Sequence, residues 1–147
     1  MIRPATHADL PALLALTRQM HLEGRFQHAA LDEEKVELIF RHCIESEFFV
    51  VSESSDGVDG MLAGICTELW FSRSYAAHDL IFFVRPIRRG GFAAVRMIQA
   101  FVTWAKVHGA AEVAISQSSG ARVEEMQRLM TGMQFDYMGG VFKWRFG

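Results

Sequence analysis

The stretch His78–His108, HDLIFFVRPIRRGGFAAVRMIQAFVTWAKVH, decides how this chain is organised. It opens with an apolar run, Leu80-Ile81-Phe82-Phe83-Val84, whose length suits a buried strand. A turn follows, Arg85-Pro86-Ile87-Arg88-Arg89-Gly90-Gly91, and a helical pattern begins at Phe92. Polar Arg96, Gln99, Thr103 and Lys106 recur at helical spacing, and Ala94, Ile98, Phe101 and Ala105 hold the opposite face. The unit predicted is strand, glycine turn, helix.

The charges in the turn carry the functional hint. Arg85, Arg88 and Arg89 stand just before a helix N-terminus, where the macrodipole is already positive. Cations there cost up to about 1 kcal/mol unless an anion is present. Unpaired N–H groups at the helix start, with Gly90 and Gly91 letting a ligand approach the backbone, would cradle a phosphate. A solvated turn with two flexible glycines is the plainer alternative.

This stretch resembles the acyl-CoA-binding segment of the GNAT acetyltransferases, a Val-x-Pro followed by Arg/Gln-x-x-Gly-x-Gly/Ala at a helix start. Val84-Arg85-Pro86 supplies the first part. Arg88-Arg89-Gly90-Gly91-Phe92-Ala93 fits the second with its arginine one residue early; taking Arg89 as the motif arginine restores the distance and puts Ala94 at the final small position. Phe92 then stands where the family has its middle glycine. The resemblance implies a mixed, mostly antiparallel α/β sheet and acetyl-CoA as cosubstrate. It also implies that the backbone of Phe82, Phe83 and Val84 runs along the pantetheine arm. Arg88, Arg89, Gly90, Gly91, Phe92, Ala93 and Ala94 would hold the pyrophosphate.

Composition agrees with a soluble globular protein. The 147 residues, half of them apolar and 22% charged, suit a single domain over residues 1–147. No apolar run reaches the ~18–20 residues of a membrane span, and Met1–Thr6 lacks a signal-like apolar block, so a cytoplasmic protein is expected. A net charge of −2 argues against broad nucleic-acid binding. Cys43 and Cys66 lie in apolar patterns and read as core thiols, and the histidines show no metal-ligand spacing. No metal is expected.

Around the central unit, Ile2-Arg3-Pro4 reads as an edge strand, and Leu10, Leu13, Leu14, Thr17 and Met20 as the face of a first helix, capped by Asp9 or by a Thr6–Asp9 capping box. Asp32 caps a second helix facing inward through Val36, Ile39, Phe40, Cys43 and Ile44. Phe48–Val51 and Met61–Phe71 flank the turn-rich Ser54–Gly60 as a hairpin. Glu112–Ser116 alternates as a strand, Gln117–Gly120 forms a polar loop at its end, and Val123, Met126, Gln127 and Met130 mark a fourth helix. Phe135–Phe146 reads as a terminal hairpin whose aromatic strands are candidates for pairing across a homodimer. The order β-α-α-β-β-β-α-β-α-β-β, about six or seven strands with about four helices, is similar to the GNAT topology.

Transfer of an acetyl group to an alkyl amine of pKa about 10 needs a proton acceptor, a donor to the carbonyl oxygen, and no covalent nucleophile. Glu68 interrupts the apolar strands and is the candidate base; His78 and Asp79 are weaker ones. Tyrosine in the fourth helix is the usual family acid, but Met130 holds that position, leaving Tyr137 or Tyr75. By resemblance the loop holding Arg25, Phe26 and His28 faces the acceptor amine, either a small molecule or a protein amine. A non-catalytic acyl-CoA-binding regulator and an assembly protein on the same scaffold are the rival readings.

Overall fold

Among the described residues of this computed structural model, 1–116 and 122–146, five strands form one sheet with helices on both faces. Chain order is β1 (Ile2–Pro4), α1 (Leu10–Glu23), α2 (Glu33–Ser46), β2 (Phe48–Ser54), β3 (Gly57–Glu68), β4 (Tyr75–Val84), α3 (Ala93–Val107), β5 (Ala110–Ala114) and α4 (Val123–Gly132). Spatial order follows chain order. Pairing is antiparallel from β1 to β4; β4 and β5 are parallel because α3 provides the crossover between them.

Local signals set the helix ends. The Asp32 carboxylate accepts the Lys35 N–H at 3.1 Å, and Glu33 and Glu34 sit in the favourable first turn of α2. Gly109, at φ 75°, stops α3 where a side chain would be strained. Ahead of α1, Asp9 accepts the Thr6 N–H at 2.8 Å and both ends of the Arg3 guanidinium fork, each at 2.8 Å. The Thr6–Asp9 capping box is therefore the operative one.

Two cores result. Leu13, Leu16, Phe40 and Cys43 of α1 and α2 pack on Phe49, Val51, Met61, Ile81 and Phe83. Met97, Ile98, Phe101 and Ala105 of α3 pack on Phe48, Val50, Leu62, Ala77 and Val84, with Leu129, Met130 and Met133 of α4 against them. The face expected for α3 holds, with Met97 added to its buried set.

Three expectations need correction. The central strand begins at Tyr75, ahead of the His78–Asp79 start expected, because β3 pairs it on both sides of the bulge. Strand β5 lies two residues earlier than Glu112–Ser116, starting directly after the Gly109 turn. The terminal hairpin is not formed: Phe135 reaches the α3-side core, but residues 136–146 carry no strand and run exposed. A strand needs a partner edge, and among the described residues no strand pairs with this segment. The expected loop Gln117–Gly120 lies outside the described residues. No described helix is long and apolar enough to cross a membrane.

Candidate active site

The site begins with a fault in the sheet. Register between β3 and β4 shifts at Ala63/Gly64: Gly64 faces Asp79 while Ala63 faces Ile81, which leaves Leu80 as an extra residue. Its effect is visible in burial. Ala77 and Ile81 share the same parity along the strand, yet Ala77 joins the α3-side core and Ile81 the α1-side core. Below the bulge β4 pairs with β5 from Tyr75 to His78; above it β5 ends at Ala114 and, among the described residues, β4 has no strand partner on that side.

A cleft of about 520 Å³ lies beside that edge of β4, within the usual size for a ligand site. Its wall is β4 from Asp79 to Val84, its floor the turn Arg88–Gly91 with Ala94, and its far side Ser116 and α4. Met20, Glu23 and Phe26 close the α1 side. Along Asp79–Val84 the backbone edge facing β5 makes no strand pair.

At the floor, the first N–H groups of α3 are open. The ladder begins with the Arg96 N–H donating to the Phe92 oxygen at 3.0 Å, and no side chain caps the start. Gly90 has φ 87°, a conformation that favours glycine, and a Cβ on Gly91 would meet only the Arg88 oxygen at 3.6 Å.

The arginines are engaged differently. Arg88 reaches back to the β2–β3 hairpin, donating to Asp56 at 2.8 Å and standing 3.2 Å from Asp59. Arg89 donates to the Val84 oxygen at 2.8 Å, grips both oxygens of Glu23 at 2.7 and 2.9 Å, and lies 5.2 Å over the Phe83 ring. Each arginine ties the turn to a neighbouring element. Phe82, Phe83 and Val84 line the cleft, Phe83 and Val84 being buried, and Phe92 is exposed beside Arg96. Ala93 and Ala94 open α3, and Ala94 touches the cleft.

Of the expected acid–base residues, neither Glu68 nor Tyr137 lines the cleft. Glu68 is exposed at the far end of β3, opposite Tyr75. Tyr137 stands exposed in the tail. Met130 packs against the α3-side core. Asp79, by contrast, sits at the bulge inside the cleft, and its Oδ1 accepts the Ser116 N–H at 3.0 Å. Burial raises its carboxyl above the ordinary range, and the Ser116 N–H only partly offsets this. Burial likewise pushes the Cys43 thiol up to about 11 and raises that of Cys66, so neither is an activated nucleophile. Sequence reading also passed over Glu23, Arg122 and Arg128, which line the cleft from α1 and beside α4. Their spacing along the chain gave no sign of convergence.

No family model and no curated protein matches the sequence. Solved structures do match. Aminoglycoside N-acetyltransferase AAC(6')-Iy in complex with CoA superposes with a TM-score of 0.78 over 99% of this chain and 93% of that one, at 16% identity. A predicted acetyltransferase with acetyl-CoA from Clostridium acetobutylicum gives 0.73 over 99% and 95%, at 12% identity. The fold is that of the GNAT acetyltransferases. A transcriptional regulator from Bacillus halodurans C-125 also shares it, with a TM-score of 0.77 over 99% of each chain at 16% identity. In this GNAT scaffold the bulge, the edge of β4 beyond it and the start of α3 fall on consecutive segments of one unit, Tyr75 to Val107.

Proposed function

We propose that the chain is an N-acetyltransferase that moves an acetyl group from acetyl-CoA to a primary amine by direct attack in a ternary complex. The observation that carries this is the cleft between β4 and β5, ending on the uncapped N-terminus of α3. Two of the similar structures contain CoA or acetyl-CoA, which supports the same donor here. Acetyl-CoA, when bound, supplies an acyl group already activated as a thioester.

The residues present fit it. The open N–H groups at the start of α3 and the Gly90–Gly91 backbone would take the pyrophosphate, favoured by the helix dipole. The unpaired edge of Asp79–Val84 would hold an extended, amide-bearing arm as a neighbouring strand would. Arg88 and Arg89 serve here chiefly to fix the turn, through Asp56, Asp59 and Glu23.

Proton removal from the amine is assigned to Asp79 in place of Glu68. A carboxylate takes a proton well when its pKa is raised, and Asp79 is the cleft carboxylate held by a backbone N–H and not by an arginine. Glu23 is held by Arg89, and Glu125 lies 3.9 Å from Arg122. Tyr137 takes no part in this scheme.

The test is thiol release from acetyl-CoA across a panel of small amines and peptide amines. Amine-dependent release supports the proposal. Tight binding of acetyl-CoA without turnover on any amine would favour the regulatory reading, which Met130 at the usual tyrosine position and the fold shared with a transcriptional regulator both suggest.

A further inference from the structure

The arginines that line the cleft are not equally committed. Arg88 is matched by Asp56 and Asp59, Arg89 by Glu23, and Arg122 lies 3.9 Å from Glu125. Arg128 is different. Among the described residues it makes neither an ion pair nor a hydrogen bond. Glu124 stands four residues before it on α4, a spacing at which a glutamate and an arginine readily pair, yet that contact is not made.

Arg128 also borders two hollows at once. One is the cleft, and the other is the groove between α3 and α4 lined by Val95 and Gln99. Val95 belongs to the first turn of α3 and Gln99 to the second. Helix α4 therefore brings an uncommitted cation to the flank of the uncapped start of α3.

A helix start offers partial positive charge, whereas a phosphate brings a full negative charge or more. The arginines of the turn can meet that charge only by leaving their carboxylates. One of these, Asp59, is buried, and a buried carboxylate stripped of its cation is strongly destabilising. Arg128 is exposed and breaks no contact by turning to a ligand. Its planar fork of N–H donors matches phosphate oxygens in pairs.

We infer that Arg128 is the cation that holds a phosphate of the acyl-CoA donor, reaching it from α4 while Arg88 and Arg89 brace the turn from behind. This rests on the donor proposed above. Such a donor carries a pyrophosphate and a 3′-phosphate, and the same guanidinium chemistry serves either group.

Calorimetric titration of the full chain with acetyl-CoA and with acetyl-dephospho-CoA tests the inference. Arg128→Gln should bind acetyl-CoA about tenfold more weakly or worse, the loss of one charge-assisted contact. Its affinity should also fall less steeply with added salt than that of the wild type. The melting temperature should not change, because Arg128 is exposed and unpaired. Arg96→Gln is the matched control. Arg96 lies 5.8 Å over the Phe92 ring in the same first turn of α3 but does not line the cleft. Its variant should stay within about threefold of the wild type, as a screened surface charge would. A loss that persists with acetyl-dephospho-CoA assigns Arg128 to the pyrophosphate, and a loss that vanishes assigns it to the 3′-phosphate. Equal affinity of wild type and Arg128→Gln for acetyl-CoA would overturn the inference and leave the donor standing. An equal loss in Arg96→Gln, or a loss with the wild-type salt dependence, would overturn it too. A wild type that binds no acetyl-CoA would overturn the donor assignment and this inference with it.

Discussion

Asp9 and Asp79 are both withdrawn from solvent, and the fold treats them in opposite ways. Asp9, behind β1, receives two guanidinium N–H groups from Arg3 and the Thr6 N–H, and its carboxyl is lowered to about 2. Asp79, at the β4 bulge, receives the Ser116 N–H and faces the cleft, and its carboxyl is raised. A cation at hydrogen-bond distance repays the desolvation of a carboxylate; one N–H does not. One site is built to stay ionised. The other, under the proposed function, exchanges a proton.

The largest expected effect is on the second site. Asp79→Asn keeps the acceptor for Ser116 but cannot take a proton, so kcat/KM should fall about 10²–10⁴-fold while acetyl-CoA affinity is kept. Higher pH should partly rescue the variant, as more amine arrives neutral. Glu68→Gln is the paired control and should stay within about threefold, since Glu68 lies outside the cleft. The reverse ranking of the two variants would break the comparison. Stability should move the other way: a carboxyl raised by burial binds its proton more tightly folded than unfolded, so stability falls as pH rises through the folded pKa. At neutral pH, Asp79→Asn should therefore melt no lower than the wild type.

At the first site the loss is structural. Arg3→Ala leaves Asp9 buried against one backbone N–H and should cost about 2–3 kcal/mol in denaturant unfolding at neutral pH. The sign with pH is opposite to that of Asp79. A lowered carboxyl contributes stability that is complete above its unfolded value of 3.8 and is lost as pH falls through about 2. The variant should lack that acid-dependent loss, and an unaltered acid profile would mean Arg3 does not hold Asp9.

A smaller effect is expected where the bulge meets the core. A Cβ on Gly64 would come within 2.5 Å of the Phe101 ring, in the strand position facing Asp79. Gly64→Ala should cost about 1–3 kcal/mol by overpacking and lower kcat/KM through displacement of β4. Unchanged stability would show that Phe101 can yield.

The strand–turn–helix unit was legible because its signals are local. Apolar run, glycines and helical period all fall within His78–His108, and the structure keeps them in that order. What escaped the sequence depends on register. Glu68 looks central when strands are read as apolar runs, yet pairing sends it to the far end of β3, opposite Tyr75. Asp79 reaches the cleft because one extra residue at Leu80 offsets the ladder; the GNAT resemblance implies a bulge in this strand, but nothing in the residue types places it at Leu80. The arginines of the turn were read as anion ligands from position alone; their carboxylate partners, Glu23, Asp56 and Asp59, are far away in sequence. The tail was misread because alternation predicts a strand and is silent about its partner.

The central claim is that the start of α3 and the Gly90–Gly91 turn hold the pyrophosphate of an acyl-CoA. Calorimetric titration of acetyl-CoA into the wild type and into Gly91→Glu tests it most directly. Gly91 is exposed and a Cβ there meets only the Arg88 oxygen at 3.6 Å, so the variant should fold with an unchanged melting temperature. The account predicts saturable one-site binding to the wild type and none measurable to Gly91→Glu, whose added carboxylate repels the phosphates. Equal binding by both proteins, or no binding by the wild type, would contradict it.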